Sequence, residues 1–192
     1  PAAVTHVFLT HNHADHSGAA AAMRRELEAA SGTSPQFAIS AELADDLRQG
    51  DAVANGFEWA LRVGFYPAGV RLEPCPVEVE LADGVRISAG GVEVVAIATP
   101  GHSRGHFSFL VSGAGPTFLI GGDHVFWNGR ILLQNLPDVD IGAYARSMVT
   151  LSELEFSGLL PGHSGVSLEH GKRHVLAALH NFENIGVPPG LF

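Results

Sequence analysis

The chain has 192 residues, 46% of them hydrophobic and 16% charged, enough for one domain with a sizeable core. Its 11 Lys+Arg against 20 Asp+Glu give a net charge of −9 without a basic run, which argues against nucleic acid as a partner, since that binding rests on neutralising phosphates. No run of about 18 apolar residues occurs, so no membrane association is expected, and the single cysteine, Cys75, excludes an internal disulfide and fits a reducing, cytoplasmic compartment.

In chain order, Thr5–Thr10 reads as a strand and Ser17–Ala30 as a helix that Ser31-Gly32-Thr33-Ser34-Pro35 breaks. Gln36–Ser40 is a short strand, and Ser40 is placed to cap a helix over Ala41–Arg48. Residues 50–76 are less regular, with Phe57, Trp59, Leu61, Phe65 and Tyr66 interrupted by Gly and Pro, a composition that suits a lid or helical insertion or plain packing under a loop. Cys75 lies there between two prolines with no basic neighbour in sequence and reads as a structural thiol. From Val77 the pattern turns to strands: Val77–Leu81, Val85–Ser88 and Val92–Ala98, with hairpin chemistry at Asp83-Gly84 and at Gly90-Gly91. His106–Val111 and Thr117–Ile120 form another pair. A helix over Ile141–Leu154, a short strand at Leu159-Leu160 and a last helix from Leu168 to Phe182 complete the pattern. Strands and helices intermix around central hairpins, so the expected class is α/β, or α+β, in a single domain over 1–192 with sheets packed between helical layers. The chain begins at Pro1 and enters a strand almost at once, so upstream sequence is expected to be missing.

The chemistry-bearing stretch is His11-Asn12-His13-Ala14-Asp15-His16, with four potential metal ligands in six residues between a strand and a helix. In extended backbone His11 and His13 point the same way and can grip one ion, whereas Asp15 and His16 face elsewhere and can hold a second. Imidazoles and carboxylates suit Zn²⁺ and similar metals. Three further sites share one design, an apolar strand ending in a Gly-rich turn that carries His or Asp. They are Thr99-Pro100-Gly101-His102-Ser103-Arg104-Gly105-His106, Gly121-Gly122-Asp123-His124 and Pro161-Gly162-His163. Polar residues at strand ends sit at the rim of a sheet, where pockets form.

This order of motifs resembles the metallo-β-lactamase-fold hydrolases, whose signature is His-x-His-x-Asp-His, then a His in a Pro-Gly-His turn, an Asp in a Gly-Asp turn and a final Gly-His. The match runs from Thr5 to about Gly165. The resemblance implies an αβ/βα sandwich with the site at one edge of two facing sheets. The family's several strands before the first motif are missing here, so a partner chain or a homo-oligomer is one way to complete the sheet. The resemblance further implies one metal on His11, His13 and His102, a second on Asp15, His16 and His163, and Asp123 bridging them. Two divalent ions, Zn²⁺ by default with Mn²⁺ and Fe²⁺ also fitting, would make hydroxide from a shared water near neutral pH. That hydroxide would attack a carbonyl while the metals stabilise the oxyanion, with Asp15 and Asp123 as the catalytic carboxylates.

Asp123 stands where zinc β-lactamases of this fold carry Cys or Ser, which argues against antibiotic hydrolysis. The bridging Asp resembles the glyoxalase II and lactonase branches instead. Lys172-Arg173 is the lone basic cluster after His163, which argues against glutathione thioesters specifically. Asp123-His124-Val125-Phe126-Trp127 lacks the tyrosine that lactonases of this fold often place after the bridging Asp. The expected activity is hydrolysis of a small thioester, lactone or ester. The rivals are a mononuclear iron dioxygenase of the persulfide type and a metal-binding protein without turnover. His106 and His124 are candidates to support the ligands, and His170 and His174, outside the motifs, are expected to be dispensable.

Overall fold

A computed structural model of the chain describes residues 4–54 and 56–191. The chain forms two compact units, dividing between Leu81 and Ala82, and each has its own sheet and its own apolar core.

In the first unit, strand β1 (His6–Phe8) leads into the ligand-rich loop and a single helical turn, α1 (Ala14–Ser17). Helix α2 (Ala20–Ser31) follows. The expected single helix is thus two, broken at Gly18-Ala19, where Ala19 leaves helical geometry at φ −95°, ψ 2°. Gly32 then ends α2 in the left-handed conformation, as the sequence suggested. Strand β2 (Gln36–Ser40), helix α3 (Ala44–Gln49), helix α4 (Phe57–Arg62) and strand β3 (Val79–Leu81) complete the unit. Its sheet is parallel throughout, with β2 between β1 and β3.

Two expectations are corrected here. Ser40 does not cap a helix: α3 begins four residues later, its N-cap position is Leu43, and no side chain caps it. The Asp83-Gly84 turn does not make a hairpin either, because β3 pairs with β2. Asp83 instead accepts a 2.8 Å bond from the Ala98 N–H, and the Gly84 N–H donates to the Ala96 carbonyl at 2.8 Å, closing the end of a strand pair in the second unit.

Phe37, Ile39, Leu43, Leu47, Cys75 and Val77 form the core of the first unit together with Leu9 and the alanines of α2. Arg24, on the same buried face of α2, spends its guanidinium on Ser34, the Pro76 carbonyl and both oxygens of Glu78, and its plane covers the Phe37 ring. Burial pushes the Cys75 thiol up against the opposing pull of Arg24, which leaves it protonated and unreactive. Within residues 50–76, Asn55 lies outside the described residues. Phe57 is buried beneath Tyr66, while Trp59, Val63 and Phe65 stand exposed.

The second unit is one five-stranded sheet in the order β4 (Arg86–Ala89), β5 (Val92–Ala98), β6 (Phe107–Ser112), β7 (Phe118–Gly122) and β8 (Gly158–Pro161). The first three pairings are antiparallel. Gly90 and Gly91, both at positive φ (59° and 83°), form the two-residue turn between β4 and β5 that their sequence predicts. Strand β8 returns parallel to β7 after helix α5 (Ile141–Ser152), a strand–helix–strand crossover. The N-terminus of α5 is capped by Asp140, whose carboxylate accepts the Ala143 N–H at 2.9 Å. Ala143, Tyr144, Ser147, Met148 and Leu151 form its buried stripe at helical spacing. Helix α6 (Lys172–Glu183) starts later than expected because His170 sits at φ 57°, in the left-handed region, and ends the preceding turn.

Candidate metal centre

The first unit contributes the contiguous motif. His11 and His13 follow β1 on extended backbone, both buried, with ring centroids 4.6 Å apart and ligand nitrogens within 4.8 Å of each other. Asp15 and His16 fall in the turn of α1, and His16 Nε2 lies 3.6 Å from Asp15 Oδ2. The loop is stitched from within. The Ser17 hydroxyl donates to the Asn12 carbonyl at 2.7 Å, and Thr10 Oγ1 shares a 3.0 Å bond with His11 Nδ1. From α3, Asp46 accepts the Asn12 side-chain amide at 3.1 Å. Tyr66 belongs to this surrounding too: burial first, and then the charge of Asp15, pushes its phenol above the usual value.

The second unit contributes three turns at one end of its sheet. His102 and Asp123 are buried to 0% and 1% exposure, and His163 is half-buried against the Phe126 ring. Asp123 Oδ2 lies 3.6 Å from His102 Nε2 and 3.2 Å from His163 Nε2, so the three turns converge on one carboxylate oxygen. The Gly162 N–H donates to the Gly122 carbonyl at 2.7 Å, which ties the His163 turn to the Asp123 turn.

How the rings are held decides what they can bind. His102 Nδ1 faces the Leu132 carbonyl at 3.1 Å; a carbonyl only accepts, so Nδ1 carries a proton and Nε2 is the nitrogen turned towards Asp123. His106 is fixed in the same way but turned from ligation. The Asp123 N–H donates to its Nε2 at 3.1 Å, which places the ring proton on Nδ1, bonded to Thr99 Oγ1 at 2.8 Å. Thr99 continues to Ser108 Oγ at 3.0 Å, and Ser108 reaches the Gly121 carbonyl at 3.4 Å. His106 therefore braces the Asp123 backbone. Burial, and then His102, lowers the His124 pKa to about 3, while a long contact with the Tyr144 backbone pulls the other way, so this imidazole is neutral and acts as packing.

The turn bearing His102 is docked on α5. The Asp140 N–H donates to the Gly101 carbonyl at 2.9 Å, and the Ser147 hydroxyl donates to the Pro100 carbonyl at 2.7 Å. Gly101 has φ 147°, and a Cβ there would lie 2.7 Å from Tyr144 backbone and ring atoms, so only glycine fits. Pro100 and Gly101 belong to a motif singled out from the sequence, whereas Asp140, Tyr144 and Ser147 on the α5 side do not. Tyr144 was visible there only as a residue of the helix expected over Ile141–Leu154, and the Leu132 carbonyl carries no sequence signal at all.

His174, outside the motifs, has a structural role. It is 1% exposed, its Nδ1 accepts the Asn128 N–H at 3.0 Å, and its ring packs on Trp127 at 4.6 Å. It thus pins the positive-φ residue Asn128.

The model of the metallo-beta-lactamase superfamily matches residues 1–163. The chain belongs to that superfamily. A hydroxyacylglutathione hydrolase of Shewanella sp. (strain ANA-3) is 26% identical over 162 residues, which is 79% of this chain and 51% of that protein. The chain therefore spans about half the length of that curated relative. Among solved structures, an archaeal superfamily protein from Sulfolobus tokodaii matches with a TM-score of 0.69 at 23% identity, covering 92% of this chain and 66% of that one. A family protein from Thermus thermophilus matches at 0.68 and 21% identity, covering 94% and 61%. These two likenesses establish the fold. The chain is thus a hydrolase-like superfamily member with His/Asp groups suited to divalent metal. Among the described residues no helix is long and apolar enough to cross a membrane.

Proposed function

We propose that the chain is a binuclear metal-dependent hydrolase acting on a small thioester, lactone or ester. The motif order assigns one ion to His11, His13 and His102, the other to Asp15, His16 and His163, and the bridge to Asp123. The observation that carries the reading is the placement of His102, whose Nδ1 is engaged by the Leu132 carbonyl and whose buried Nε2 lies 3.6 Å from a buried carboxylate. Imidazole nitrogens beside a carboxylate oxygen are a donor set that suits a borderline divalent cation, by default Zn²⁺, with Mn²⁺ or Fe²⁺ as substitutes. Ions held there supply Lewis acidity and an activated water near neutral pH.

The chain's own residues then do the rest. Asp123 holds its carboxylate in a dry environment, braced by His106 at its N–H and by Tyr144 at its carbonyl. Asp15, exposed in the first turn of α1, is placed to orient a water and take its proton.

The substrate is expected to be small and not bound through glutathione carboxylates. Lys172 is paired with Glu155, and Arg173 lies over the Trp127 ring, so the basic pair is already engaged. The net charge of −9 argues against nucleic acid. A panel of aryl esters, acyl thioesters and lactones, assayed with zinc-loaded protein, tests the reading. Metal-dependent turnover of at least one class is expected. Tight metal binding with no turnover of any would reject it, and oxygen consumption with a single bound iron would replace it with the dioxygenase reading.

A further inference from the structure

Tyr144 is one of two tyrosines in the chain and is fully buried in the apolar core of the second unit. A phenylalanine would fill such a position without a polar atom to satisfy, so the hydroxyl calls for a reason. Its single proton is shared between two carbonyls, that of Asp123 at 2.9 Å and that of Leu132 at 3.1 Å. The Leu132 carbonyl is the acceptor that fixes His102 Nδ1–H, and the Asp123 carbonyl belongs to the converging carboxylate residue itself. The ring stacks on His124 at 4.5 Å and 22°, and Gly101, next to His102, closes against its other atoms. One hydroxyl therefore joins the supports of two turns that lie far apart in sequence.

We propose that Tyr144 is a positioning residue for the metal centre. Its hydroxyl holds the Leu132 and Asp123 carbonyls so that His102 presents Nε2, and Asp123 its carboxylate, before any ion arrives. This rests on the reading that His102 and Asp123 are ligands. Without the hydroxyl, Leu132 still accepts from His102 and Asp123 is still braced by His106, so the effect is weaker binding and not its loss. Losing a partner behind a ligand costs metal affinity about 10-fold to 100-fold, and the lower end is expected here.

The test is zinc affinity by chelator competition on the whole chain for the wild type, Tyr144→Phe and Asp123→Ala, with melting midpoints taken with and without zinc. Tyr144→Phe is expected to bind zinc about 10-fold more weakly and to show a smaller zinc-induced rise in midpoint. If its midpoints fall equally with and without zinc while affinity is unchanged, and Asp123→Ala has lost zinc, Tyr144 is structural only and the proposal is overturned while the ligand reading stands. If Asp123→Ala binds zinc like the wild type, the ligand reading fails and takes this proposal with it. Should Tyr144→Phe not fold, proton and nitrogen-15 NMR of the zinc-free wild type decide. A slowly exchanging Tyr144 hydroxyl proton and a His102 Nδ1–H tautomer support the proposal, and an Nε2–H tautomer or a fast-exchanging hydroxyl overturns it.

Discussion

The two units present their candidate metal ligands in opposite ways. In the first, His11, His13, Asp15 and His16 are neighbours in sequence, stitched by Thr10, Ser17 and the Asn12–Asp46 bond. In the second, His102, Asp123 and His163 come from three distant strand ends, and buried groups on other elements aim His102 and Asp123. The first arrangement depends on local chain geometry, while the second depends on how the core is packed. Changes in the core of the second unit should therefore reach the metal, and changes in the core of the first unit should alter stability alone.

The largest expected effect is that of Asp123→Ala, which removes the convergence point of the second unit. Hydrolysis should fall by more than about 100-fold, beyond the usual cost of losing a supporting residue, with metal content falling in parallel by elemental analysis. Normal activity in that variant would reject the binuclear assignment. Gly101→Ala comes next. A Cβ 2.7 Å from Tyr144 backbone atoms forces either the His102 turn or α5 to move, so about 3 kcal/mol should be lost in denaturant unfolding, together with weakened zinc binding. Loss of stability with zinc affinity intact would show that the turn and the metal are less coupled than argued.

His174→Ala separates packing from ligation within the same unit. It deletes a buried ring, removes the acceptor of the Asn128 N–H and takes away one of the neighbours of the Trp127 ring, so about 2 kcal/mol of stability should disappear while metal stoichiometry stays as in the wild type. The smallest effect belongs to the first unit. Burial alone would raise the Glu78 pKa, but the bonds from Arg24 and the Phe37 N–H hold it below its usual 4.5. A carboxylate held low when folded contributes stability above that pH, and the contribution is lost as pH falls through the folded value. Arg24→Met should therefore cost about 1 kcal/mol at neutral pH, since the pair is partly open to solvent, and should flatten the stability profile below about pH 4.5. Zinc content unchanged by this variant would uphold the contrast between the units, and loss of zinc would break it.

What the sequence made legible follows the same contrast. His-x-His-x-Asp-His is dense enough to read directly, and so is a Gly-Gly turn between alternating strands. The pairing of β3 was not legible, because a parallel partner some forty residues upstream leaves no mark on a run such as Val77–Leu81, while Asp83-Gly84 carries a hairpin signal that tertiary pairing overrides. The break of the first helix at Gly18-Ala19 was hidden by an alanine run that favours helix throughout. The packing role of His174 was not legible, because the residue it supports, Asn128, is distant in sequence and bonds it through the main chain. The Leu132 carbonyl and the Tyr144 hydroxyl are in the same position. Backbone acceptors have no residue code, so apart from His106, which its place beside the motifs marked as a support, the parts that aim His102 and Asp123 become visible only in three dimensions.

The most direct test of the central claim is the identity and number of metal ions per chain, by elemental analysis of protein purified without chelator. The account predicts about two divalent ions per chain, zinc or a zinc mixture with manganese or iron. A single iron per chain, or protein that stays metal-free after zinc is supplied, would contradict it.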